Sequence, residues 1–358
     1  MPKKKPFLPH RLVENWFQKN QRDLPWRRNR SPYHVWLSEI MLQQTQVSVV
    51  IDYFNRFITA FPTIRSLSEA SEDQVLALWS GLGYYSRGRN LHKTAKIIIE
   101  EYQGIFPSDY DTLLRLPGIG SYTAGAILTF SFQKPAAVVD GNIARVLARL
   151  LNDQTEINST QGKKHYEAIS LEFVQKADSV LHWQEGLMEI GALICKTQNP
   201  LCSTCPLQDG CLAKKANTIA EIPKKLPKQK RQSLNLICAI IHNEEEIWLE
   251  KNTGFNLFKG LYAPPNAHFI DESQIPSLLF ELLKNRGISY PLQHLKPVYV
   301  KRTLTHRDLH LFGFLIDLKA DKLKTHSWFK RDQLHKIGLS TAIRALLECI
   351  LDKKADVL

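Results

Sequence analysis

The chain has 358 residues, 44% of them hydrophobic, with a formal charge of +12 and a pI near 9.3. That apolar content excludes disorder as the main state, and the length exceeds one ordinary domain, so two domains are expected. The basic balance favours nucleic acid as a partner, because each phosphate neutralised by Lys or Arg releases condensed counterions, while no amphipathic, lipid-anchoring or long apolar segment points to a membrane.

From the start, Met1-Pro2-Lys3-Lys4-Lys5-Pro6 has no apolar run behind it, so no secretory signal is read and a cytoplasmic, nucleoid-associated protein is expected, or a nuclear or mitochondrial one if the source is eukaryotic. Lys3 to Lys5 read as a solvated tail before a nuclear address. Residues 7 to 211 repeat apolar side chains at helical spacing, as in Val35, Trp36, Ile40 and Met41, or Ile143, Val146, Leu147 and Leu150. Turn signals punctuate them at Phe61-Pro62, Gly81-Leu82-Gly83, Phe106-Pro107 and Pro117-Gly118-Ile119-Gly120. Residues 213 to 233 hold Pro223, Pro227 and seven Lys or Arg and read as a linker. Beyond it come short β-rich runs, 236–241 and 309–316, with helical segments near 273–285 and 341–351. The predicted organisation is a helical domain over 1–212, a basic linker over 213–233 and an α+β domain over 234–358.

Four places carry candidate chemistry. In Leu114 to Ile127 a helix, a Pro/Gly hairpin and a second helix follow one another, a helix-hairpin-helix at about 110–130. Gly118 and Gly120 would let the backbone approach a phosphate, and the N–H groups opening the second helix at Ser121 would grip it without reading sequence; an ordinary helix-helix turn is the alternative. Cys195, Cys202, Cys205 and Cys211, spaced C-x6-C-x2-C-x5-C, point to thiolate metal ligation. Structural zinc and a 4Fe-4S cluster both fit the thiolates. Cys238 and Cys349 stand apart and read as small buried apolar residues. Asp140 precedes a strong amphipathic helix and by itself reads as its N-cap. Glu39 lies in a helical stretch, Tyr33 to Gln46, whose spacing puts Gln43 and Gln46 on its face.

The runs Leu24-Pro25-Trp26 and Pro32-Tyr33-His34-Val35-Trp36-Leu37-Ser38-Glu39-Ile40-Met41-Leu42-Gln43-Gln44-Thr45-Gln46-Val47 strongly resemble the adenine DNA glycosylase family, often called MutY. So do Gly81 to Arg87, the hairpin, Val139-Asp140-Gly141-Asn142 and the cysteine spacing, in family order across 24–211. The wider superfamily is that of helix-hairpin-helix glycosylases, endonuclease III included. The resemblance implies one 4Fe-4S cluster on the four cysteines, Glu39 as general acid and Asp140 as second catalytic carboxylate. Adenine is a poor leaving group, so Glu39 would have to protonate it, which requires burial to raise its pKa, while an ionised Asp140 would stabilise the oxocarbenium-like sugar.

Tyr122 sits where lyase relatives carry a Schiff-base Lys, so the resemblance implies a monofunctional enzyme that leaves the strand intact. Tyr122 and Asn142 match positions flanking the catalytic pair. Gln44 and Tyr84 match residues that wedge into the duplex when adenine is extruded. Trp26, Arg27, Leu42 and Glu185 match adenine-pocket positions; core packing, a surface base and a solvated acid are their bland readings. Residues 234–350 resemble the family's Nudix-like lesion-recognition domain, through Phe258 to Tyr262 and Arg302 to His306. Phe280 to Gly287 offers only Glu281, so pyrophosphate hydrolysis is not expected. The family's Phe-Ser-His that contacts 8-oxoguanine is here Leu304-Thr305-His306, which keeps a hydroxyl and loses an aromatic contact. A β-turn satisfied by Thr305 and His306 is the alternative. The implied partner is duplex DNA with adenine opposite 8-oxoguanine or guanine, bound by a monomer, with repair or replication proteins as further partners. An endonuclease III-like glycosylase/lyase and a non-catalytic iron-sulfur DNA-binding protein are the competing readings; Tyr122 stands against the first, Glu39 and Asp140 against the second.

Overall fold

A computed structural model of the protein describes residues 9–227, 230–243, 245–253, 257–304, 307–318 and 328–352. Lys3 to Lys5, Thr305 and His306 lie outside the described residues. The helices in chain order are α1 (Pro9–Asn20), α2 (Pro25–Arg28), α3 (Pro32–Leu42), α4 (Val47–Ala60), α5 (Ile64–Glu69), α6 (Glu72–Trp79), α7 (Ser86–Tyr102), α8 (Tyr110–Arg115), α9 (Ser121–Phe130), α10 (Gly141–Leu151), α11 (Thr160–Val174), α12 (Val180–Glu189), α13 (Leu212–Lys215), α14 (Ile275–Lys284) and α15 (Thr341–Asp352). Strands β1 (Gln232–His242), β2 (Glu246–Trp248), β3 (Glu250–Lys251), β4 (Tyr262–Ala263), β5 (Asn266–Phe269), β6 (Val298–Thr303), β7 (Arg307–Asp317) and β8 (Trp328–Lys330) all follow residue 231. Among the described residues no helix is long and apolar enough to cross a membrane.

The chain divides into two compact units, residues 1–69 with 90–227, and residues 70–89 with 228–358. A contiguous division at 212 and 234 puts 70–89 in the helical half. By contact that stretch groups with the second unit, where Ser80 and Tyr85 donate to the Leu339 carbonyl at 2.8 Å each and Lys251 pairs with Asp73 at 2.6 Å. Nor do residues 213–227 behave as a linker. Ala213 and Ile222 are buried in the first unit's core, Arg149 Nε donates to the Ile222 carbonyl at 2.8 Å, and the Ile157 N–H donates to Lys224 at 3.1 Å.

The first unit is all helical because its apolar residues recur every three or four positions and each such face finds another. Ile143, Val146, Leu147 and Leu150 of α10 pack with Val13 of α1, Tyr166 of α11 and Trp183 and Leu187 of α12. Fully burying a side chain of that size contributes about 1.5–3 kcal/mol. Ser31 caps α3 by accepting from the His34 N–H at 3.4 Å, and Pro32 begins the helix where no N–H is needed. The helix stops at Leu42, so Gln43 is its C-cap and Gln46 the N-cap of α4. The helical face expected to carry Gln46 seven residues beyond Glu39 is therefore broken.

The second unit is α+β. Its sheet has the order β6-β7-β1-β2-β8, with β5 also on β1; β1 and β7 run parallel along their whole lengths, from Gln232↔Arg307 to His242↔Asp317. β1 is almost uniformly apolar because both sheet faces are covered. Leu236, Cys238, Ile240 and Leu311 face α15, with Ile343, Leu346 and Ile350, while Ile237, Ala239, Ile241 and Phe314 face Leu279 and Leu283 of α14. Cys238 is buried as expected. Cys349 is not: it is exposed, because α15 turns Leu346, Leu347 and Ile350 inward and leaves position 349 on the solvent side.

Candidate active site

A cavity of about 650 Å³ opens in the first unit, lined by α2, α3, α9, the start of α10 and α12. Glu39 and Asp140 both line it. Glu39 lies on the apolar α3, where nearly every side chain from Tyr33 to Met41 is buried, and is only 4% exposed itself. Tyr122, on the first turn of α9, donates its hydroxyl to Glu39 Oε2 at 2.7 Å. Burial pushes the Glu39 carboxyl up to about 7; the Tyr122 hydrogen bond pulls it back, and the charges of Asp140 and Glu185 add to the rise. At neutral pH a large fraction of this group holds its proton. The Tyr122 phenol is itself pushed well above its ordinary value, first by burial and then by Glu39, so it remains a donor.

Asp140 is the N-cap of α10 and a lining residue of the cavity at once. Its Oδ1 accepts from the N–H groups of Asn142 and Ile143 at 2.9 and 2.7 Å, and its Oδ2 from the Asn142 amide at 3.0 Å. Burial pushes its carboxyl up, against the pull of those donors and of the Arg145 guanidinium. Arg145 in turn donates to Asn142 Oδ1 at 2.8 Å and to the carbonyls of Gly191 and Cys195 at 2.7 Å each. The two carboxyls thus sit in unlike surroundings, one against a phenol in an apolar helix, the other at a helix N-terminus rich in N–H donors.

The expected pocket residues are brought together, with their side chains committed. Trp26 and Leu42 line the cavity, Trp26 edge-on to Phe54 at 5.5 Å. Arg27 Nε donates to Glu185 at 3.1 Å, and Arg27 Nη2 pairs with Glu189 at 2.8 Å. Arg30 grips both oxygens of Glu185 at 2.9 Å, and Arg22 holds Glu189 at 2.8 Å. Glu185 and Glu189 are almost fully buried, and this doubly cross-linked ion network ties α2 to α12. Arg30, Glu189 and Arg145 were missed by reading the sequence, because their contacts with Glu185, Arg22 and Gly191 span 155, 167 and 46 residues and no spacing rule connects them. Gln44 is exposed on the cavity rim with φ of 57°, a left-handed conformation. Tyr84 belongs to the second unit and shares that feature, with φ of 47° and 40% exposure.

The hairpin between α8 and α9 has Gly118 at φ 78°, where an added Cβ would lie 2.8 Å from Asn90 Cβ. Gly120 has open space around its Cβ position and caps α9, leaving that helix N-terminus uncovered by any side chain of its own. The Ser121 hydroxyl donates to Glu167 at 2.7 Å. The four cysteines Cys195, Cys202, Cys205 and Cys211 line one small cavity, floored by Arg149, Val146 and Leu207. Arg149 donates to Cys195 Sγ at 3.4 Å and to the Lys196 and Thr197 carbonyls at 2.7 and 3.1 Å.

Residues 37–176 match the model of the HhH-GPD superfamily of base excision DNA repair proteins, and residues 236–349 that of the NUDIX domain. The chain is similar to the adenine DNA glycosylase of Buchnera aphidicola subsp. Schizaphis graminum (strain Sg), 37% identical over 346 residues covering 94% of this chain and 97% of that one. It is similar to the enzyme of the same name from Buchnera aphidicola subsp. Acyrthosiphon pisum (strain APS), 36% identical over 350 residues covering 96% and 97%. Among solved structures it resembles a thermostable thymine-DNA glycosylase, with a TM-score of 0.53 and 26% identity over 57% of this chain and 94% of that one. The first of the two matched stretches contains Glu39, Tyr122 and Asp140; the second contains α14, β2 to β8 and most of β1 and α15.

Proposed function

The chain belongs to the adenine DNA glycosylase family and is a DNA glycosylase of base excision repair, and from that premise we propose that it hydrolyses the N-glycosidic bond of adenine opposite 8-oxoguanine or guanine in duplex DNA, without cutting the strand. The observation that carries this reading is the buried Glu39, bonded to Tyr122 at 2.7 Å and sharing a cavity with Asp140.

An adenine swung out of the duplex enters the cavity beside Glu39. Glu39 gives its proton to N7, the N9–C1′ bond breaks with its electron pair leaving on the base, and the sugar remains as an oxocarbenium ion. Asp140, held by the N–H groups that open α10, supplies the negative charge that stabilises this cation. Water adds to C1′ and its proton returns to Glu39, so that one water is consumed for each adenine released. Tyr122 orients the acid and brings no amine, so no Schiff base forms and the abasic strand stays whole. Gln44 and Tyr84 fill the vacated stack, while Trp26, Arg27, Leu42 and Glu185 shape the base pocket. Because Arg27 and Arg30 already occupy Glu185, an adenine amine would share its oxygens with them.

By the family resemblance Cys195, Cys202, Cys205 and Cys211 would hold one 4Fe-4S cluster, and in support the four thiols line one shared space. When bound, the cluster supplies structural cross-linking of the 195–211 loop. On this reading Leu304, Thr305 and His306 read the base opposite adenine. The enzyme works as a monomer on cytoplasmic, nucleoid-associated DNA.

Incubation with duplexes carrying adenine opposite 8-oxoguanine, guanine or thymine tests the reading. Free adenine should appear opposite the first two, and strand breaks only after alkali. No adenine release defeats the assignment, and breaks without alkali at the rate of base loss defeat the monofunctional claim. A colourless protein with stoichiometric zinc and no iron defeats the cluster.

A further inference from the structure

The turn between α6 and α7 presents Tyr84. Gly81, Gly83 and Tyr84 take φ of 104°, 70° and 47°, a region that a residue with a side chain occupies only when its surroundings hold it there. Two sets of contacts do so. Beneath the turn, Arg87 Nη2 donates to the carbonyls of Leu82 and Gly83 at 3.1 and 3.3 Å, and its guanidinium lies 5.5 Å from both the Trp79 and Tyr84 rings. At its side, Ser80 Oγ and the Tyr85 hydroxyl both donate to the Leu339 carbonyl at 2.8 Å, and Tyr85 also accepts from the Gly81 N–H at 3.4 Å.

Leu339 is a fixed point. Its side chain is fully buried in the core between the sheet and α15, Ser340 behind it caps that helix through the Ile343 N–H at 3.1 Å, and the Tyr262 N–H holds Gly338 at 2.9 Å. Leu304, at the tip of the β6–β7 hairpin, packs against the same core, as does Val300 of β6. One packed layer therefore runs from the hairpin to the Leu339 carbonyl, and two hydroxyls fasten the Tyr84 turn to it.

We propose that Tyr85 and Ser80 are positioning residues for Tyr84, which lock the wedge to the layer that carries the lesion-reading hairpin, so that the base opposite adenine governs how readily adenine leaves the stack. This deepens the proposed function and rests on its reading of Tyr84 as the wedge.

The test uses the full-length protein and a duplex with 2-aminopurine on a 2′-fluoro sugar in place of the adenine, a fluorescent and uncleavable report of extrusion, opposite 8-oxoguanine. Tyr85→Phe keeps the ring and removes the donor; losing one such hydrogen bond should lower the extruded fraction about fivefold. Ser80→Ala should act in the same direction and stands in should Tyr85→Phe fold poorly. Tyr84→Ala should also lower extrusion, and adding Tyr85→Phe to it should change nothing more, which an ordinary structural role for Tyr85 would not produce. Unchanged extrusion in both hydroxyl variants, or losses that add to that of Tyr84→Ala, overturns the proposal while the wedge stands. Unchanged extrusion in Tyr84→Ala overturns the wedge itself.

Discussion

Replacing Glu39 by Gln should make the folded protein more stable while removing its activity, and the gain should depend on pH. The side chain is 4% exposed and its carboxyl is pushed from 4.5 up to about 7, with burial as the largest cause. A raised value in the folded state means that the folded chain binds this proton more tightly than the unfolded chain does. Its contribution is fully favourable below about pH 4.5, is lost as pH rises towards about 7, and stays lost above. The move from 4.5 to about 7 corresponds to about 3 kcal/mol. Glutamine is neutral at every pH, has nearly the same shape, and still accepts from Tyr122. Urea unfolding of both proteins, followed by tryptophan fluorescence between pH 4.5 and 8.5, should show equal stability at the acid end. At the alkaline end Glu39→Gln should be more stable by about 3 kcal/mol, with adenine release about a thousandfold slower. A stability difference that does not change with pH, or a glutamine variant less stable than the parent at pH 8.5, would refute the burial argument.

Other predictions follow from the same geometry. Asp140→Asn keeps an N-cap acceptor on α10, so unfolding should shift by under about 0.5 kcal/mol, while single-turnover adenine release falls by about a hundredfold or more. Tyr122→Phe removes the hydrogen bond that pulls Glu39 down, so the descending limb of kcat/KM against pH should move to higher pH; a limb that stays in place or moves down contradicts that role. Arg149→Ala deprives the carbonyls of Ile222, Lys196 and Thr197 of their donor and should cost about 3 kcal/mol or more, with iron per chain falling in elemental analysis. Gly118→Ala forces a side chain into a left-handed turn against Asn90 and should weaken binding to any duplex, whatever its sequence, with a stability cost of about 1 kcal/mol.

Much of the architecture was legible because it rests on local periodicity. The face of α10 and the apolar run of β1 announce a helix and a doubly covered strand before any tertiary contact is known. Short-range site features were legible too: the cysteine spacing, the hairpin glycines and Asp140 as a helix N-cap. For Asp140 the sequence offered cap and catalytic carboxylate as rivals, and the structure shows one side chain capping α10 while lining the cavity. Long-range pairings were not legible. Nothing in Arg22, Arg27 or Arg30 names Glu185 or Glu189 as partners, since ion pairs follow proximity in the fold and carry no sequence period. The allegiance of 70–89 was equally hidden. α6 has a buried face of Val75, Leu76 and Trp79, but such a face does not say which core it enters; that is settled by Asp73, Ser80 and Tyr85 meeting Lys251 and Leu339. Cys349 was misplaced because composition ranks cysteine as buried, whereas the turn of α15 decides its side.

The account stands on Glu39 keeping its proton near neutral pH. Labelling glutamate side-chain carboxyls with carbon-13 and titrating the signal that is absent from Glu39→Gln measures this directly. The account predicts a midpoint near 7, shifted upward in Tyr122→Phe. A midpoint near 4.5, the ordinary value for glutamate, would contradict it.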